Sequence, residues 1–287
     1  MVHPLKARYQ TAQLTETAFI TEDGATLPLR RWLPQSETKA VLIALHGFND
    51  YSHFFTMPAE YLSKTGIACF AYDQRGFGNA PKRGLWAGYP TYTHDLQTLV
   101  RLLKQRYKNR PIYLLGESMG GAVVIAAMNK TMPDIDGVIL SSPALWARDT
   151  MPWYQTSLLW LLSHTVPDMT FTGESVGVQA SDNIKMLRQL GKDPLVIKAT
   201  RVETIHGLTD LMDEASRHDK DLPKRTLMLY GEKDEVIPKP PTYNFFKQVL
   251  ADQEKTVAIY PKGYHLLLRD LHADNTWQDI VSWVLEK

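Results

Sequence analysis

Short, uninterrupted apolar runs recur along the chain at Ala40 to Leu45, Ile67 to Tyr72, Pro111 to Leu115, Gly137 to Leu140, Thr226 to Tyr230 and Thr256 to Tyr260. Runs of this length are what strands look like when both faces are covered, since neither face then needs polar side chains. Ahead of them, Ala18-Phe19-Ile20 and Leu27 to Trp32 flank Asp23-Gly24, the pattern of a hairpin with a glycine in its turn. Two hairpin strands and six runs predict eight strands.

Between the runs the period changes. From Tyr92 to Tyr107 the residues Leu96, Leu99, Val100 and Leu103 fall three or four apart, which puts them on one helix face. Ser118 to Met128 and Thr276 to Leu285 also read as helices. Buried strands alternating with helices imply right-handed crossovers and a mostly parallel sheet with helices on both faces, an α/β fold. No internal repeat and no low-complexity tract interrupts the pattern.

The alternation lapses from about Trp146 to Leu222, where no convincing strand is found. Residues 1–145 and 223–287 are expected to form the core, and 146–222 a helical cap inserted after the sixth strand. Pro152 suits a helix's first turn. The helix it opens, with Trp153, Leu158, Leu159, Trp160, Leu161 and Leu162, is apolar nearly all round. Such a helix is buried, or it borders a greasy pocket or a bilayer surface. The ordinary reading is a cap helix packed on the core.

Composition narrows the possible partners. Thirty-two Lys and Arg balance 31 Asp and Glu, leaving a formal charge of +1, so no global field draws in nucleic acid or an anionic bilayer. The lone cysteine, Cys69, cannot form an internal disulfide and reads as a buried small hydrophobe. Residues 1–8 lack a basic start followed by an apolar stretch, so a cytoplasmic setting is expected. No stretch approaches the length of a membrane span.

Gly-x-Ser-x-Gly occurs twice, as Gly116 to Gly120 around Ser118 and as Gly173 to Gly177 around Ser175. A nucleophilic serine needs a sharp strand-to-helix turn whose small neighbours tolerate strained backbone angles. The first match follows Ile112 to Leu115 and leads into Gly120-Gly121-Ala122-Val123, which meets that need. The second follows a weak strand candidate and leads into polar residues, so it reads as a cap loop.

A serine hydroxyl is a poor nucleophile at neutral pH, so a base must take its proton and an acid must orient that base. On such an elbow the chain order is serine, acid, histidine. Asp234 follows the strand Leu227 to Tyr230 and His265 follows Val257 to Tyr260, both at carboxyl ends where open sheets place their sites. Glu232 and Glu235 compete for the acid role and His272 for the base. His46, His53 and His94 precede the serine, and His46 reads as a loop-holding residue. The oxyanion hole is expected from the backbone N–H groups of Met119 and Phe48. No zinc, paired-cysteine or P-loop motif is present, so no metal or cofactor is called for.

With these residues placed, the sequence resembles the monoacylglycerol lipase and lysophospholipase branch of the α/β-hydrolases, over nearly its whole length. The resemblance is carried by His46-Gly47-Phe48, by Tyr72-Asp73-Gln74-Arg75-Gly76-Phe77-Gly78, by the Ser118 elbow with Gly120-Gly121, by Asp193-Pro194-Leu195 and by Tyr264-His265. Family elbows often carry His where Glu117 stands, and Ser often stands at the position of Asn79. The resemblance implies an α/β-hydrolase that cleaves a carboxylic ester, a monoacylglycerol or lysophospholipid, through an acyl-enzyme on Ser118; the apolar cap helix adds transient membrane-surface contact as an expectation of its own. Two readings compete with it. One is a peptidase or amidase on the same triad, as in the related proline iminopeptidases, with Glu174, Glu203, Asp210, Asp213 or Glu214 near the pocket. The other is a binding protein that has lost catalysis, which a missing triad member would announce.

Overall fold

Alternate residues of the apolar runs feed two separate cores, one on each side of the sheet. Val41, Ile43 and Leu45 enter one core, and Ala40, Leu42 and Ala44 enter the other. The next run divides the same way, with Ala68, Phe70 and Tyr72 opposite Ile67, Cys69 and Ala71. A strand covered on both faces has no use for a polar position, which explains the unbroken runs. Cys69 is fully buried, and burial pushes its thiol far above the ordinary range.

The computed structural model describes residues 10–128, 131–172, 177–217, 222–223, 225–250 and 255–286. Its strands are β1 (Gln13–Leu14), β2 (Ala18–Ile20), β3 (Thr26–Trp32), β4 (Ala40–Leu45), β5 (Ile67–Tyr72), β6 (Ile112–Glu117), β7 (Gly137–Ser141), β8 (Thr170–Thr172), β9 (Ala199–Arg201), β10 (Thr226–Gly231) and β11 (Lys255–Tyr260). Its helices are α1 (Thr56–Lys64), α2 (Tyr89–Arg106), α3 (Met119–Ala127), α4 (Trp153–Thr165), α5 (Ile184–Lys192), α6 (Val202–Arg217), α7 (Lys239–Val249) and α8 (Ala273–Leu285).

The main sheet runs β1-β2-β3-β5-β4-β6-β7-β10-β11. The first three strands are antiparallel, β3 meets β5 antiparallel, and every pairing from β5 to β11 is parallel. The eight expected strands are joined by a ninth, β1, whose two residues are too few to leave a pattern. The last run, β11, is an edge strand and only partly covered, since it has one neighbour and not two.

Between β7 and β10 the chain makes one long excursion through α4, β8, α5, β9 and α6. Two expectations are corrected there. A short antiparallel ribbon, β8 with β9, stands where no strand was expected, each strand being only three residues long. And α4 is not packed on the core: none of its residues is buried, and Trp153 and Trp160 are 78% and 58% exposed. An all-round apolar sequence marks burial only when a second layer covers it, and α4 is covered on just part of its surface, chiefly by α6. The excursion leaves and re-enters the sheet at neighbouring strands, with Ser142 N–H donating to Leu229 O at 2.9 Å.

Candidate active site

Ser118 sits in the turn from β6 to α3 with φ 52° and ψ −116°, a conformation L side chains rarely adopt. Backbone held there stores on the order of 1–3 kcal/mol and persists only when its surroundings over-determine it. The bracing is visible: Ser118 N–H donates to Ser141 O at 3.0 Å, and Ser118 O accepts from Ala122 and Ala144 N–H at 3.2 and 3.0 Å. The flanking glycines let the turn close. A β-carbon on Gly116 would lie 2.4 Å from Gly120 O, and one on Gly120 would lie 2.3 Å from Leu45 O.

Asp234 and His265 meet directly, with His265 Nδ1 and Asp234 Oδ2 2.8 Å apart and both side chains buried. The other carboxylate oxygen, Oδ1, accepts from the N–H groups of Val236 and Ile237 at 2.8 and 3.1 Å. The two loops also touch through backbone, Lys233 N–H donating to Gly263 O at 2.9 Å, and a β-carbon on Gly231 would lie 2.4 Å from Tyr264 O. The rival acids Glu232 and Glu235 are exposed, as is His272. Among the described residues no hydrogen bond joins the Ser118 hydroxyl to His265. The structure thus couples acid to base and leaves the serine on its own elbow, at the carboxyl ends of the same sheet. Ser175 lies outside the described residues.

The N–H groups of Phe48 and Met119 donate to no protein acceptor among the described residues. Met119 opens α3, where the helix dipole favours negative charge. A β-carbon on Gly47 would lie 3.3 Å from Ser118 Cβ, which shows how closely the Phe48 loop passes the elbow. That loop is laced to the next one. Gln74 N–H donates to His46 Nε2 at 3.0 Å, so Nδ1 carries the proton and donates to Gly47 O at 2.8 Å. Burial keeps this imidazole neutral by holding its pKa below the ordinary value, as a loop-holding role requires. Asp73 accepts from Ser52 and Asn79 N–H at 3.0 and 2.9 Å. Asn79 contributes there through its backbone, so the departure from serine leaves this contact unaffected.

Three buried charges went unread in the sequence. Arg269 Nη2 lies 2.9 Å from Glu117 Oε1 and 2.8 Å from Asp50 Oδ2. An arginine directly after Leu266-Leu267-Leu268 was the available signal.

Fold and site geometry together define an α/β-hydrolase. The family model described as "Serine aminopeptidase, S33" matches residues 36–272, and the chain belongs to that family. It is 27% identical to monoglyceride lipase of Rattus norvegicus over 90% of this chain and 88% of the relative. It is 22% identical to monoacylglycerol lipase of Mycolicibacterium smegmatis over 94% and 97%. Among solved structures, monoacylglycerol lipase of Paleococcus ferrophilus aligns with TM-score 0.74 at 22% identity, covering 90% of this chain and 98% of that one. A soluble variant of monoglyceride lipase from Saccharomyces cerevisiae, in complex with a substrate analog, aligns with TM-score 0.76 at 21% identity over 100% and 99%.

Proposed function

We propose that this chain hydrolyses carboxylic esters of lipids, monoacylglycerols or lysophospholipids foremost, through an acyl-enzyme on Ser118. The observation that carries the reading is the buried Asp234–His265 hydrogen bond on the sheet end that also holds the strained serine. Asp234 holds the Nδ1 proton, which leaves Nε2 free to take the proton from Ser118 Oγ as it attacks the ester carbonyl. The oxyanion then forms against Phe48 and Met119 N–H, donors of a kind whose loss typically costs about 10²- to 10³-fold in kcat. His265 returns its proton to the leaving alcohol, and water completes the cycle by the same route. The relatives named as monoglyceride lipases support this substrate class.

The amidase reading has the family's description on its side, but the cap carboxylates that would receive a free amino terminus have other partners. Asp210 and Asp213 face Arg148, Glu203 pairs with Arg201, and Glu214 with Arg217. These carboxylates are each paired with an arginine, while Glu174 lies outside the described residues. A panel of monoacylglycerols, lysophospholipids, short p-nitrophenyl esters and aminoacyl amides checks the assignment. Lipid esters are expected to exceed aminoacyl amides in kcat/KM by about 10³-fold or more, an energetic margin of about 4 kcal/mol. Amides turned over faster than every ester would refute it.

Residues 146–222 act as the cap in this proposal, with 1–145 and 223–287 as the core. No helix among the described residues is long and apolar enough to cross a membrane. The exposed apolar surface of α4 instead suits shallow contact with a lipid surface, where Trp and Leu rest at the acyl boundary. Trp153→Ser with Trp160→Ser is expected to weaken co-sedimentation with phosphatidylcholine vesicles by roughly tenfold. Undiminished sedimentation would remove α4 from the contact.

A further inference from the structure

We infer that Arg269 is a positioning residue, a shared brace that sets nucleophile, oxyanion donors and base in one register. The inference rests on the roles proposed above for Ser118, Asp234 and His265. Glu117 immediately precedes Ser118, Asp50 lies two residues beyond Phe48, and Arg269 lies four beyond His265. One guanidinium nitrogen, 2.9 Å from Glu117 and 2.8 Å from Asp50, therefore joins the end of β6 to the segments that follow β4 and β11. The Phe54 ring, 5.8 Å from Arg269 Cζ, closes the cluster from the side.

The cluster is costly to bury. Glu117 and Arg269 are fully or nearly out of contact with water, and Glu117 Oε2 and Arg269 Nε have no hydrogen-bond partner. Burial pushes the Glu117 carboxyl above its ordinary range, and the Arg269 guanidinium pulls against that. Buried ion clusters often add nothing to stability compared with apolar packing of equal volume. What this one adds is a fixed distance between three segments that no other hydrogen bond joins among the described residues. Its second role follows from chemistry: a serine, a base and two N–H donors work together only when each is held to within a fraction of an ångström, and a shift of about 1 Å can cost about 10²-fold.

Arg269→Leu, Arg269→Lys, Glu117→Gln and Asp50→Asn test this through kcat and KM on p-nitrophenyl butyrate, thermal melting, and active-site titration with a fluorophosphonate. Arg269→Leu is expected to lower kcat per titrated site by roughly 10- to 100-fold with KM within about twofold. Arg269→Lys, which restores the charge without the planar fork, should recover part of that loss. A lower melting temperature with unchanged kcat per titrated site would overturn the inference and leave the cluster merely structural. If Arg269→Leu does not fold, the isosteric Glu117→Gln and Asp50→Asn decide. Each is expected to lower kcat by roughly three- to tenfold, and unchanged kcat in both would overturn it. Ser118→Ala separates the two levels of the argument. Turnover surviving that change removes the site itself, whereas an inactive Ser118→Ala beside an unimpaired Arg269→Leu removes only the brace.

Discussion

Ser118→Ala is expected to lower kcat on short p-nitrophenyl esters by about 10⁴- to 10⁶-fold, while Ser175→Ala leaves it within about twofold. Among the described residues, Ser118 occupies a braced turn with positive φ beside the N–H groups of Phe48 and Met119, which have no protein acceptor there. The same turn predicts a gain elsewhere. Glycine adopts that conformation without the side-chain penalty, so Ser118→Gly should be as inactive as the alanine variant and yet melt at a higher temperature, by relief of part of the roughly 1–3 kcal/mol held there. Steady-state kinetics with a melting curve for each variant checks both halves. Comparable activity losses in Ser118→Ala and Ser175→Ala would sink the assignment of the nucleophile.

Asp234→Asn should be nearly as damaging, about 10⁴-fold in kcat near neutral pH, although it replaces one atom with another of similar size. The local hydrogen bonds explain why. Oδ1 accepts from Val236 and Ile237 N–H, so an amide placed there must keep its oxygen on that side. Its NH₂ group then points at His265 Nδ1, which is 2.8 Å from Oδ2 in the native chain. The ring is forced to accept at Nδ1 and carry its proton at Nε2, so it meets the serine hydroxyl as a donor and not as a base. Fluorophosphonate labelling should slow in parallel with turnover, while KM stays within severalfold. A kcat loss of less than about tenfold would show that the carboxylate does not control the tautomer.

Much of the fold is legible in the amino-acid sequence, for a physical reason. Strands buried on both faces must be apolar throughout, so β4, β5, β6, β7 and β10 announce themselves. The elbow is legible because close helix-to-sheet approach admits only glycine at 116 and 120, and the positions of Asp234 and His265 follow from strand ends. The rest depends on what lies across space. Nothing in Gln13-Leu14 marks it as a strand. The exposure of α4 is invisible in a pattern that reads identically for a buried helix. Glu117 reads as a departure from the usual histidine, and its meaning emerges only when Arg269, 152 residues away along the chain, is found beside it.

The excursion between β7 and β10 has a consequence for how such a chain can vary. Its two ends are fixed to adjacent parallel strands, since it leaves after Ser141 at the carboxyl end of β7 and re-enters at Thr226, which pairs with Val138. The entropy of closing a segment between anchored ends grows only logarithmically with its length, by about 0.6 kcal/mol per doubling. The part of the insert ahead of α6 can therefore lengthen, shorten or be exchanged at small thermodynamic cost, whereas α6, whose Leu211, Met212 and Ala215 enter the core against α3, must stay. On the proposed division of labour, the stretch from α4 to α5 is the unit to exchange when selectivity is to be redesigned, with α6 left to the core.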